Sequence, residues 1–279
     1  MRSFILLFVT ALLYAGNGIA QPRYASPEAE EIVHKMIDAH GGYDAWKNLE
    51  TQSFTSAMHS SSLGFVRFWI KSQTIHMKTR RSYQDWPLFG STLTYDGKEA
   101  WATNWRISNP PNHQHSVYYY YVNLPWLTQE DHTVLGEVSK IKHPAFENEV
   151  YSIKMTFTES PILGKSKNDS YTLFIDSKSF LLNGYEYTVG YGPLLDVLKL
   201  PEDSTVFGPV LRINTYTGDV DGLKFPMLMT THSTDLKQQY GDHAIYNYKL
   251  NGTFDETRMN KPENAVVDRS KDKRSSTGK

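Results

Sequence analysis

Ten histidines and no cysteine make metal binding and acid–base catalysis the first chemistry to consider in this 279-residue chain. His113 and His115 stand two apart and, in an extended segment, would project to one side. Zinc takes three or four ligands with a supporting shell. No third ligand is recognisable nearby, there is no His-Glu-x-x-His pattern, and both residues read as structural or loop histidines. His34 and Asp38 lie four apart on the polar side of a helical pattern, where a solvated pair explains them better than an acid–base couple. His40 differs, because it falls on the apolar stripe of that pattern just before Gly41-Gly42. It reads as a capping histidine at the negative end of a helix, or as a donor to a ligand head group at a cavity mouth. No Gly-x-Ser-x-Gly, phosphate loop or dinucleotide fingerprint occurs. No catalytic residue, metal or cofactor is therefore expected.

The densest aromatic cluster is Tyr118 to Tyr121 with Trp126. Such rings either cover the open side of a sheet as core and rim packing or line a pocket for an apolar ligand, since such pockets have aromatic and aliphatic walls with few polar groups.

The elements that must position these residues follow from hydrophobic periodicity. Ala29, Ile32, Val33, Met36, Ile37 and His40 trace one helix face, with Glu28, Glu30, Glu31, Lys35 and Asp38 on the other. Ser26 suits the N-cap, Pro27 the first turn, and Gly41-Gly42 the left-handed stop. A short turn from Tyr43 to Leu49 carries Trp46. From Thr51 the period changes to two, and Asp96-Gly97 joins Leu93–Tyr95 to Lys98–Thr103 as a hairpin, so four or five antiparallel strands follow. Ser108 to His115, with Pro110-Pro111, reads as a loop; Val117 to Leu127 reads as a short helix or an irregular aromatic segment. Strands resume at Tyr151–Thr158, Tyr171–Asp176 and Phe180–Tyr191. Leu194, Leu195, Val197, Leu198 and Leu200 suggest an amphipathic lid helix inside a long connection. The last strands are Val210–Tyr216, Met227–Ser233 and His243–Leu250. Roughly ten strands, one strong helix and no βαβ alternation predict a mainly β (α+β) fold: one large curved antiparallel sheet covered by the N-terminal helix and the middle segment.

The chain's first residues carry a different message. Arg2 precedes an apolar run from Phe4 to Ala15 and the small-residue exit Gly18-Ile19-Ala20. Twelve residues are too few for a membrane span, which needs about 20, and they suit a cleaved signal peptide over residues 1–20. No later window is apolar enough to span, so a soluble, periplasmic, monomeric protein is expected. With 29 basic against 30 acidic residues the chain is no polycation seeking nucleic acid. Residues 264–279, polar and lysine- and arginine-rich, read as a disordered basic tail.

The run Ile32 to Leu49, containing Ala39-His40-Gly41-Gly42 and Trp46, resembles the opening of the exported LolA-like proteins of Bacteroidetes, loosely described as outer membrane lipoprotein-sorting proteins or domains of unknown function. Tyr120 to Trp126, Tyr171 to Asp176, Asp221 to Pro226 and the Asn251 to Pro262 block extend the resemblance over nearly the whole mature chain. It implies a half-barrel of about eleven antiparallel strands curved around a hydrophobic cavity under short helices, occupying residues 21–263. It also implies a non-enzymatic protein that shelters a lipid, acyl chain or other hydrophobic small molecule. On that reading Ile32, Met36, Phe54, Phe68, Trp101, Leu124 and Trp126 form the wall and His40 the polar contact. The alternatives are a filled barrel serving as a sensor or assembly partner of another envelope protein and, further off, an envelope hydrolase.

Overall fold

The computed structural model describes residues 22–60 and 68–274. The proposed signal peptide lies outside the described residues. The chain opens with β1 (Arg23–Tyr24), α1 (Pro27–Ala39) and α2 (Tyr43–Lys47). Strands β2 (Thr51–Ser60), β3 (Phe68–His76), β4 (Ser82–Trp86), β5 (Ser91–Tyr95) and β6 (Ala100–Thr103) follow, and then α3 (Pro111–Leu127). Next come β7 (Thr133–Ile141), β8 (Val150–Phe157), β9 (Ser170–Asp176), β10 (Leu182–Val189) and α4 (Gly192–Val197). Strands β11 (Phe207–Thr215), β12 (Leu228–His232), β13 (Gln239–Leu250) and β14 (Val266–Val267) complete it.

The strands form one sheet in the order β1-β7-β8-β9-β10-β11-β12-β13-β2-β3-β4-β5-β6-β14. Every pairing is antiparallel except the two-residue β1–β7 contact. The key closure is β13 on β2, which joins the two runs of hairpins with Ile245 opposite Ser56. The sheet is curved and unclosed, a mainly β architecture of the kind the periodicity and the resemblance implied, although it has fourteen strands where about ten or eleven were expected, two of them the two-residue edge strands β1 and β14.

The α1 helix is built as its sequence dictates. Ser26 Oγ accepts from the Ala29 N–H at 3.4 Å, and Ala29, Ile32, Val33, Met36 and Ile37 are buried against the sheet. Gly41 ends it at φ +103, where a Cβ would stand 2.3 Å from the Gly222 carbonyl oxygen. No side chain fits there, so the close approach to the 220–225 turn requires glycine.

The middle segment departs from the expectation. Pro110-Pro111 does not hold a loop open; Pro111 occupies the first turn of α3, where its missing N–H costs nothing. The helix runs seventeen residues, and every one from Asn112 to Leu127 is buried. A helix enclosed on all sides has no polar stripe, which is why it shows no 3.6-residue contrast in sequence. It occupies most of the concave side of the sheet.

The expected disorder after residue 264 is also overturned, as far as Arg274. Val266 and Val267 pair with Ala102 and Trp101. Asp268 Oδ2 accepts from the Asn112 N–H at 2.8 Å at the start of α3, and Ser270 Oγ lies 2.9 Å from the Tyr191 hydroxyl. Arg274 donates to Asp196 Oδ1 at 2.8 Å and to the Leu200 carbonyl at 2.9 Å. The segment is held by polar partners, not by burying carbon, so its composition gave no sign of order.

Candidate functional site

The concave side remains open around the first half of α3. There a cleft of about 170 Å³ lies between Val117, Tyr118 and Tyr121 of α3, the sheet, and the α4 turn. The sheet supplies Met58 from β2, Tyr187 and Val189 from β10, Arg212 from β11 and His243 from β13. Leu194, Val197 and Leu198 cover it from α4. These are three of the five apolar residues that suggested a lid helix. The α4 element is only six residues long, because Pro193 starts it and Lys199 takes φ +54 just beyond it.

Most of the lining is carbon, but three polar groups stand out. Tyr118 Oη lies 2.9 Å from His243 Nδ1. Burial pushes the His243 imidazolium well below its usual range, with Arg212 and Lys71 acting in the same direction, so His243 is neutral. The third is Arg212, 2% exposed, whose guanidinium carbon lies 3.8 Å from the Tyr121 ring centroid and 5.3 Å from that of Tyr187. Its charge rests against aromatic faces instead of a carboxylate.

Behind this wall sits Lys71, fully buried, donating to Gln73 Oε1 at 2.7 Å with its Nζ 3.8 Å from the Tyr118 ring centroid. Burial drives its pKa well below the ordinary lysine value. Below that ordinary value the unfolded chain holds a proton that the folded chain gives up, so this group lowers stability as pH falls. Lys71→Met should therefore raise stability by about 1–3 kcal/mol near neutrality and flatten its pH dependence, read from urea unfolding between pH 6 and 9. A loss of stability would mean that the ring contact and Gln73 outweigh desolvation.

The residues expected to wall the ligand are gathered elsewhere. Ile32, Met36, Phe54, Leu124 and Trp126 are in the closed core where α1 and the last half of α3 meet the sheet. Trp126 stacks on Trp46 at 5.9 Å and 2° and donates to the Gly42 carbonyl at 3.0 Å. His40 is not at a mouth: it is fully buried, donates from Nδ1 to the Met36 carbonyl at 2.7 Å and lies 3.2 Å from the Tyr216 hydroxyl. Trp101 is buried on β6 beneath the β14 pairing, and Phe68 is 48% exposed. None of the eight lines the cleft. Strand parity identified a buried face for Phe54 but not which stretch of that face stays open, and Phe68 stands at the strand's outer end.

His113 and His115 do not work as a pair. On a helix they diverge, and they donate to the Gly164 and Leu163 carbonyls at 3.0 Å each. Among the described residues no three His, Asp or Glu side chains converge as metal ligands. Arg212 was missed, although the sequence held a signal: a lone charge inside the apolar strand Val210-Leu211-Arg212-Ile213. In a strand so flanked, a charged side chain either reaches solvent or enters a polar niche in the core.

No protein-family model matches the sequence, and no curated protein matches it. Among solved structures, the chain is similar to a LolA superfamily protein from Nitrosomonas europaea, at 9% identity over 84% of this chain and 97% of that one, with a TM-score of 0.50. It is likewise similar to a DUF1329 family protein from Desulfovibrio piger, at 10% identity over 83% and 97% of the two chains, also with a TM-score of 0.50. At these identities the likeness speaks for the fold.

Proposed function

We propose that this LolA-like half-barrel is a non-enzymatic binding protein of the bacterial envelope, exported by residues 1–20, that shelters an apolar chain in the cleft between α3 and α4. The observation that carries the reading is the cleft itself, apolar over most of its lining and covered by the six-residue α4. Its about 170 Å³ is close to the ~150 Å³ of a dry apolar cavity that accepts benzene. It therefore takes the first few carbons of a chain as it stands, and a longer chain requires α4 to move outward. Each methylene buried contributes about 0.8 kcal/mol, so affinity needs no catalytic group.

The first test is native mass spectrometry of the protein purified from the periplasm, with organic extraction of whatever accompanies it. Near-stoichiometric lipid supports the reading. Leu198→Trp, which fills the cleft from its half-buried lid side, should lower binding of an apolar fluorescent probe at least tenfold while leaving the melting temperature within about 2 °C. Unchanged probe binding would place the ligand elsewhere.

A second reading is favoured by α3 itself, which occupies most of the concave side: a filled barrel that contacts another envelope protein. A bare mass together with no uptake of added fatty acids would select it. The tail is then an unpromising contact as far as Arg274, because it is bound to α3 and α4.

A further inference from the structure

We propose that Arg212 is the head-group site of this cleft, which makes its ligand an anionic amphiphile: a carboxylate or phosphate set against the guanidinium, with the apolar tail under α4. The inference rests on the cleft being a binding site and adds the charge class of what enters it.

Three observations converge. Arg212 is almost fully buried yet forms no ion pair with any described carboxylate. Its Nη2 donates to the Tyr187 hydroxyl at a long 3.5 Å, while Nε and Nη1 have no partner among the described residues. A guanidinium stays charged in any folded protein, so burial cannot be relieved by losing the proton as it can for Lys71. The Tyr121 and Tyr187 faces offset part of the cost, but ring faces do not accept N–H donors in the guanidinium plane.

The unpartnered groups that share the cleft point the same way. Gln114 Nε2 and Thr231 Oγ1, both lining the cleft, are also buried without hydrogen-bond partners. The amide nitrogen can only donate, and the hydroxyl can donate. Gln114 has its oxygen already engaged, accepting from Asn109 Nδ2 at 2.9 Å. Donors without acceptors, sharing an apolar cleft with one fixed positive charge, lack an anion that brings oxygen acceptors and carries its own apolar tail. A neutral glyceride or a sterol would leave the charge unanswered.

The test uses isothermal titration of the mature protein with dodecanoate, dodecyl phosphate, dodecanol and inorganic phosphate. The wild-type chain should bind both amphiphilic anions at least tenfold more tightly than dodecanol, and inorganic phosphate no more than weakly. Arg212→Met should erase that preference, bringing its dodecanoate and dodecanol affinities within threefold of each other, and Arg212→Lys should restore only part of it, since a lysine can shed its charge on burial. Equal wild-type affinity for dodecanoate and dodecanol overturns the head-group assignment while leaving the cleft reading intact. Tight inorganic phosphate binding without amphiphile preference overturns the amphiphile and leaves a free-anion site. Binding of none of the four sinks the cleft reading itself. The acid-to-alcohol comparison is made on the wild-type protein, so it stands even where a variant folds poorly.

Discussion

Trp126→Ala is expected to destabilise the protein by about 3–5 kcal/mol, a large part of the 5–15 kcal/mol that holds a typical domain together. Trp126 has no exposed surface. One face stacks on Trp46, the Phe225 ring lies 5.3 Å away, and His40 meets it edge-on at 5.9 Å. The indole N–H holds the Gly42 carbonyl at the stop of α1, so truncation leaves both a cavity and an unpaired acceptor at the point where α1, α2 and α3 join. The partner ring is tied in as well, since Trp46 Nε1 donates to Asn123 Oδ1 at 2.8 Å and Asn123 in turn donates to Gln52 Oε1 at 2.9 Å. Urea unfolding followed by tryptophan fluorescence and circular dichroism would show the midpoint falling with little change in slope. Ligand affinity of the fraction still folded should be unaffected, because the cleft lies around the other half of α3. The opposite pattern, normal stability and lost binding, would move the site back to where the aromatic residues of the sequence first suggested it.

That contrast shows what a sequence of this kind reveals. Alternation and capping exposed the frame: Ser26, Pro27 and Gly41-Gly42 mark α1 almost to the residue, and Asp96-Gly97 marks the β5–β6 turn. Elements whose signal depends on an amphipathic contrast were lost when the contrast vanished. The all-buried α3 is one. Strand β7 is another, where the register shifts between Leu135 and Val138 and the irregularity interrupts period-two alternation. The site was less legible still, because a cleft is the space left after packing. Parity places Met58 and Phe54 on the same face of β2, yet only the first borders the cleft, since the second is packed in the closed core against Tyr248. Arg212 could have been suspected from its apolar flanks, but its missing counter-charge exists only in three dimensions.

The chain is also expected to unfold cooperatively as pH falls from about 6.5 toward 4. Burial pushes the imidazolium of His40 to about 4, that of His113 to about 4 and that of His115 to about 3. Each ring donates to a backbone carbonyl, of Met36, Gly164 and Leu163 respectively, which opposes the shift without cancelling the effect of burial. In the unfolded chain the same rings take up protons near pH 6.5. The folded pKa values lie below the unfolded one, so the stability these groups contribute is complete above pH 6.5 and drains away as pH drops through the window down to about 4. At 1.36 kcal/mol per pKa unit, a fall from 6.5 to about 4 is worth up to ~3 kcal/mol for one histidine. Three together approach the whole stability of a domain, and the buried neutral His243 adds in the same direction. Urea midpoints measured from pH 8 to pH 4 should fall gently to about 6.5, through Lys71, and then descend steeply. His115→Phe should shallow that descent, because its ring stacks on Tyr95 at 4.0 Å and a phenyl group can keep the stack without the proton site. A midpoint that stays flat down to pH 4.5 would show that these rings reach water in the folded protein, and with them the first half of α3 that borders the cleft.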